Sequence, residues 1–233
     1  MQIYILTFIL GGVIASFLNV IAKSVPIYQN WWFRRSTCPH CQKILTPFEL
    51  IPILAFLIQM GRCKSCSTKI SPLYLLTEIA GGLLFISPLI FLPYPHTHLI
   101  QAWLFFSLLL TVTLTDLYYR LIPNQILIAF GIPLLLLQPN LATAIIGFLF
   151  FYGAALLGKA LFKKDTIGGG DIKLYLVVGL VFQIQSLFLS IILSSVFALM
   201  YILIFAKDNK ERPIPFAPFI TVGSIITYIF AFQ

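Results

Sequence analysis

Residues 99–117, LIQAWLFFSLLLTVTLTDL, form an apolar run that ends on a carboxylate, Asp116. A second run opens on one, in Gly168-Gly169-Gly170-Asp171-Ile172-Lys173. An acidic residue that close to hydrocarbon is costly and is usually retained for a task. The two runs therefore indicate both the solvent of this chain and where its chemistry lies. Composition agrees: 60% of residues are hydrophobic, only 9% are charged, and the mean hydropathy is +0.99. An ordinary soluble domain carries ~25% charged residues. The chain reads as an integral membrane protein, and at ~20 residues per spanning helix its 233 residues leave no room for a large soluble domain.

Hydropathy predicts eight spans, at residues 3–22, 73–92, 99–117, 125–138, 141–162, 171–184, 186–206 and 215–232. The first run is long for a signal peptide and has no basic n-region or small-residue cleavage site, so it is expected to remain. The predicted fold is all-α: a polytopic membrane protein of about eight transmembrane helices with a small four-cysteine metal-binding loop. Three regions follow: a first helix at 1–22, a metal-binding segment at 23–72 and a membrane-embedded domain at 73–233.

Orientation comes from the basic residues. With eight spans, all 15 Lys and Arg fall on one side. Lys23, Arg34, Arg35, Lys43, Arg62, Lys64 and Lys69 lie in the first connection, followed by Arg120, by Lys159, Lys163, Lys164 and Lys173, and by Lys207, Lys210 and Arg212. The positive-inside rule makes that side cytoplasmic and puts both termini outside. The net charge of +8 is then explained by basic loops beside anionic lipid, and no nucleic-acid partner is expected. Asp116 closes the third span and Asp171 opens the sixth, so this topology brings both to the cytoplasmic edge.

The extramembrane segment holds all four cysteines, as two Cys-x-x-Cys pairs, Cys38/Cys41 and Cys63/Cys66. The 21 residues between the pairs come close to the ~15–20 of a four-cysteine zinc site. A short segment with little apolar core needs such a staple, and thiolates suit tetrahedral zinc, although iron uses the same ligands. Two disulfides or a redox pair are the alternatives, disfavoured by a reducing cytoplasm and the lack of a βαβ pattern. His40 reads as a surface residue. Leu50 to Met60 is apolar but too short to span, which suits a segment lying on the membrane surface.

Asp171 follows three glycines and can be read as a helix N-cap. Asp116 cannot, because it sits at a helix C-terminus, where the macrodipole disfavours a carboxylate. Two carboxylates brought together can share a proton, one activating water while the other protonates a carbonyl, which is aspartic-protease chemistry. Gly168, Gly169 and Gly170 would let a substrate strand come close to the backbone. Lys173 can act on the nearby carboxylate or reach for headgroups. Glu78, just inside the second span, suits either a salt bridge to the basic loop or a substrate contact. His96 and His98 read as solvent residues of an outer loop, and the phenylalanine-rich runs as span surface.

These motifs together resemble the type IV prepilin peptidase family over nearly the whole chain. The resemblance rests on Ser16-Phe17-Leu18-Asn19-Val20, Arg35-Ser36 with Cys38-Pro39 and Cys41, Cys63 and Cys66 followed by Ile70-Ser71 and Glu78, Asp116 with Ile122-Pro123-Asn124, Gly168 with Gly170-Asp171 and Lys173-Leu174, and Ile214-Pro215-Phe216 with Pro218-Phe219. It implies that Asp116 and Asp171 are the catalytic pair of a bacterial inner-membrane or cytoplasmic-membrane protease. Its substrates would be prepilins or pilin-like proteins, whose short basic leader ends in glycine ahead of a hydrophobic helix. It also implies methylation of the new N-terminus with S-adenosylmethionine, although no glycine-rich dinucleotide-type loop stands in the cytoplasmic segment. The chain departs from the family pattern at Ala15, over Ala22-Lys23-Ser24-Val25, and at Ala217. Two other classes use membrane acids. A presenilin-like intramembrane protease is opposed by the four-cysteine loop and by Ile122-Pro123-Asn124. A transporter or assembly scaffold using a proton relay is opposed by the lack of internal repeats.

Overall fold

A computed structural model describes residues 1–29, 35–91, 95–137, 139–164, 166–205 and 214–231. Arg34, Gln138, Lys207, Lys210, Arg212 and the His96 side chain lie outside the described residues. The helices are α1 (Gln2–Ser24), α2 (Leu54–Ile58), α3 (Pro72–Phe91), α4 (Pro95–Tyr119), α5 (Asn124–Leu137), α6 (Leu141–Phe162), α7 (Gly169–Val181), α8 (Ile184–Phe205) and α9 (Ala217–Ala231). Every predicted span is a helix. Five of them are long and apolar enough to cross a membrane: α1, α3, α4, α6 and α8. The other three, α5, α7 and α9, have 14, 13 and 15 residues. At ~1.5 Å per residue they reach only about 20–23 Å, short of the ~30 Å hydrocarbon core. Local chemistry shortens them: Pro123 and Pro139 bracket α5, glycines precede α7, and Phe182 after it is extended.

The chain divides into two compact units, Met1–Ile90 and Phe91–Gln233. The sequence puts a boundary at the polar-to-apolar change near residue 72, whereas the packing boundary falls one helix later. Packing of α3 on α1 accounts for the difference. A Cβ on Gly11 would stand 2.5 Å from the Gly81 carbonyl oxygen, and one on Gly81 would stand 2.3 Å from the Ala15 Cβ. The two backbones touch there. Without a hydrophobic drive between helices in lipid, small residues and polar pairs hold such a crossing. Here the pairs are Asn19 Nδ2 donating to Thr77 Oγ1 at 3.2 Å and Lys23 donating to the Tyr74 hydroxyl, with its Nζ 3.9 Å from the Tyr74 ring centroid.

In the first unit the connection between α1 and α3 includes a tight turn at Pro47–Leu50, where Thr46 and Glu49 form a capping box. The Thr46 N–H and hydroxyl, at 2.8 and 3.0 Å, with Lys43 at 3.4 Å, hold the Glu49 carboxyl below its ordinary range. The segment predicted to lie on a surface contains only the five-residue α2 and exposes Ile58 and Met60 almost fully, at 71% and 88%.

The second unit is centred on α4, whose Phe105 and Phe106 pack with Phe182 and Tyr228. Helices α6 and α7 approach closely at Gly179, where a Cβ would lie 2.5 Å from the Ala144 Cα. Helices α8 and α9 meet through the Ser190 and Ser224 hydroxyls, 2.9 Å apart. Two expectations are corrected. His98 lies inside α4, half-buried, with Nδ1 3.4 Å from Gln101 Oε1, because the helix begins earlier than the apolar run does. Asp171 is not an N-cap, since Gly168 holds that position and Asp171 sits in the first turn of α7.

Candidate active site and metal centre

The second unit gathers the end of α4 and the starts of α5, α7 and α9 at one place. Asp116 lies one turn from the end of α4, and the Arg120 N–H closes that end by donating to the Asp116 carbonyl at 2.9 Å, with Arg120 at φ +55. Pro123 then starts the next helix, its carbonyl accepting from the Ile126 N–H at 3.1 Å. This tight reversal keeps Ile122 and Asn124 beside Asp116. The described basic residues of this unit, Arg120, Lys159, Lys163, Lys164 and Lys173, all belong to helix ends or connections on this side.

Asp116 is 8% exposed, and its Oδ2 accepts the Ala217 N–H at 2.9 Å, with the Phe216 N–H also acting on the carboxyl. Asp171 is half-buried, and the charge of Asp116 acts on it directly. The fold thus brings the two predicted carboxylates into one site. The glycines before Asp171 have different tasks. A Cβ on Gly168 would stand 3.0 Å from Asp171 Oδ2, and one on Gly170 would stand 2.9 Å from the Ile122 Cβ. Gly169 has open space around it. The first and third glycines are therefore required by close approach, the second by neither neighbour nor backbone. Lys173 donates to Asn124 Oδ1 at 3.0 Å, which links α7 to the start of α5.

Glu78 belongs to the first unit. Its Oε2 accepts the Ile53 N–H at 2.7 Å, and Ile53 is held at φ +65, a conformation a β-branched residue rarely adopts. The sequence left Glu78 either a salt bridge to the basic loop or a substrate contact; the structure gives it the strained Ile53 N–H of the metal-loop segment and the Ser16 hydroxyl.

The four cysteines converge in the first unit through two copies of one knuckle. In the first, the Cys38 N–H donates to the Lys43 carbonyl and the Gln42 N–H to the Cys38 carbonyl, with Gln42 at φ +58. In the second, Cys63 pairs with Thr68 and Ser67 with Cys63 in the same way, with Ser67 at φ +56. Each knuckle turns its two sulfurs toward those of the other. All four Sγ atoms lie within 4.8 Å of one another, with Cys38–Cys66 at 3.8 Å and Cys41–Cys63 at 4.0 Å. A tetrahedral ion with ~2.3 Å bonds to sulfur requires sulfurs about 3.8 Å apart. The cysteines are free thiols, so the two-disulfide alternative does not apply. The Thr68 hydroxyl and N–H hold the Cys66 thiol down, to about 6, and the Cys41 N–H leads those that lower Cys38. For Cys41 the Lys43 N–H works against burial and the neighbouring sulfurs, which push it up to about 11. Four thiolates this close need a cation among them, and the site can bind a metal ion.

Sequence reasoning missed the Ala217 N–H, because a main-chain donor leaves no residue signature. The signal available was Pro218 at the second position of a helix, which marks a start with unsatisfied N–H groups.

Comparison with known proteins agrees with this geometry. Residues 9–92 match the bacterial peptidase A24 N-terminal domain, and residues 103–203 match the type IV leader peptidase family. The chain belongs to that family and is a membrane peptidase. Among its relatives is the prepilin leader peptidase/N-methyltransferase of Bacillus subtilis (strain 168), 37% identical over 96% of this chain and 92% of the relative. Proteins of the same description from Myxococcus xanthus (strain DK1622) and Aeromonas hydrophila are 33% and 28% identical, over 74% and 96% of this chain and 54% and 89% of theirs. No solved structure matches the chain.

Proposed function

We propose that this protein removes the short basic leader from prepilins or pilin-like proteins at the cytoplasmic face of the membrane, cutting after a glycine. The observation that carries the reading is the meeting of Asp116 and Asp171 at one end of the second unit, in a family whose relatives bear the prepilin peptidase name. One carboxylate takes a proton from water while the other, protonated, donates to the scissile carbonyl. Gly169, with open space around it, leaves room for a substrate strand next to Asp171, and Lys173, fixed by Asn124, ties α7 to the start of α5. Glu78 remains a proposed substrate contact through the oxygen that Ile53 does not use. The four-cysteine loop and Ile122-Pro123-Asn124 oppose the presenilin-like alternative, and the lack of internal repeats opposes the transporter or scaffold. Cys38, Cys41, Cys63 and Cys66 would hold zinc as a structural ion, and the exposed apolar segment around α2 would rest on the lipid surface. Mass spectrometry of a co-expressed candidate prepilin tests the reading directly, since it reports the cut site and any added methyl group. An intact leader on a prepilin that a relative processes would overturn it.

Methylation is the second activity, suggested by the relatives' names. The segment between α1 and α3 has no glycine-rich nucleotide loop of the kind that holds S-adenosylmethionine. Cleavage is expected to persist when S-adenosylmethionine is withheld, because both acids come from the chain and water is the nucleophile. Methyl transfer needs a free α-amine and should follow cleavage. Methylated but uncleaved substrate would contradict this order.

The proposed orientation is tested by labelling. A cysteine reagent that cannot cross the membrane should reach probes near positions 96 and 138 from outside, and should not reach probes near Lys43, Arg120 or Lys164. Labelling at Arg120 from outside would put the acid pair on the wrong face for a cytoplasmic leader.

A further inference from the structure

The two aspartates are held very differently. Asp171 stands in the first turn of its own helix, and among the described residues its carboxylate has no hydrogen-bond partner. Asp116 is tied to another helix. In α9, the Phe216 carbonyl accepts from the Phe219 and Ile220 N–H groups and Pro218 has no N–H, so the Ala217 N–H is the helix's own free donor in its first turn, with the Phe216 N–H just ahead of it also acting on Asp116. That donor points at Asp116 Oδ2, 2.9 Å away, in a buried contact between residues 101 positions apart. The same helix is fastened to α4 one turn further on. The Thr221 Oγ1 lies 2.7 Å from the Thr113 Oγ1 and donates to the Leu109 carbonyl at 3.1 Å. From Leu109 through Thr113 to Asp116, α4 meets α9 from Thr221 back to Ala217, so the antiparallel pair is braced along the turn that leads to the carboxylate.

We infer that the start of α9 is the orienting element of the acid pair, with the Ala217 main-chain N–H fixing Asp116 while Asp171 is left to be aligned by the substrate. Ala217 and Thr221 act through Asp116 and are positioning residues. A catalytic group has to be held to about half an ångström by its surroundings, and a main-chain donor on a braced helix does this without side-chain freedom. The Ile214-Pro215-Phe216-x-Pro218-Phe219 string then has a physical purpose: it ends one connection, begins a helix, and turns the N–H groups of Phe216 and Ala217 toward the acid, Ala217 at 2.9 Å. This inference rests on the proposed peptidase reading.

The test is Ala217→Pro against Ala217→Gly in the full-length membrane enzyme with a cleavable prepilin. Proline is tolerated at the first position of a helix, yet it removes the donor and puts ring carbon where the hydrogen stood. Glycine keeps the donor. For Ala217→Pro we expect kcat to fall by about a hundredfold, the scale of a lost hydrogen bond to a charged group plus displacement, with KM and expression level near wild type. Ala217→Gly should stay within about threefold, since the donor survives. A role confined to stability would lower Tm in both variants and leave kcat of the folded fraction unchanged. If Ala217→Pro does not fold, Thr221→Val decides. It removes the brace while keeping shape, and kcat should fall about two- to tenfold at constant KM. An unchanged kcat in whichever variant decides, or a rise in KM alone, overturns the inference. Absence of cleavage by the wild-type chain would instead count against the peptidase reading, so the two failures are separable.

Discussion

Asp116→Asn and Asp171→Asn each abolish leader removal while protein level and membrane insertion stay normal. Each asparagine keeps the size and most of the hydrogen bonding of the side chain, so packing around α4 and α7 should survive. It cannot take or give the proton. A positioned acid or base contributes roughly a hundred- to ten-thousandfold, and the two act as a unit, so the double variant should be no worse than either single one. The structure supplies the reason to expect a shared fate: Asp116 is buried against the start of α9 and its charge acts directly on Asp171. The measurement is the fraction of prepilin processed in cells expressing each variant at matched levels. Substantial processing by either single variant would remove the acid pair from the mechanism.

Cys38→Ser or Cys63→Ser should release the metal and unfold the loop. The purified chain is expected to carry about one zinc per molecule, because a four-thiolate set is normally closed by one tetrahedral ion. Binding of such an ion contributes about 10–16 kcal/mol of folding free energy in small zinc peptides, which far exceeds what a segment with so few buried apolar residues supplies. In this segment only Cys38, Ala55 and Cys63 are buried apolar side chains among the described residues. The readouts are metal content by elemental analysis and the rate at which protease cuts between residues 35 and 72. A wild-type protein without metal, or a serine variant whose loop resists protease like wild type, would overturn the metal assignment. Iron in place of zinc would be recognised by its visible absorption and would change only the identity of the ion.

The glycine string shows how far local sequence can be read. Gly168-Gly169-Gly170 suggested a cleft open to substrate, yet two of the three are small for internal reasons: one clears the Asp171 carboxylate and one clears Ile122. Sequence spacing could not separate these, because the space is claimed by the rotamer of Asp171 within the same first turn and by Ile122 from the distant α4–α5 connection. The same limit applies to Glu78, whose partner at Ile53 lies 25 positions away across the metal loop, and to Lys173, whose partner Asn124 lies 49 positions away.

What the sequence determined alone was the class of fold, the placement of the eight apolar helices, the two Cys-x-x-Cys knuckles and the two acids. All of these follow from short-range chemistry: apolar runs must become helices in lipid because every main-chain polar group has to be satisfied within its own segment, thiols spaced by two residues share one ion, and a carboxylate stands out against hydrocarbon. Tertiary structure alone decided that α3 packs with α1 and that a main-chain N–H at Ala217 holds Asp116. Those outcomes depend on close approach between residues far apart in the chain, where backbone atoms and absent side chains do the contacting and leave no mark in the order of residue types.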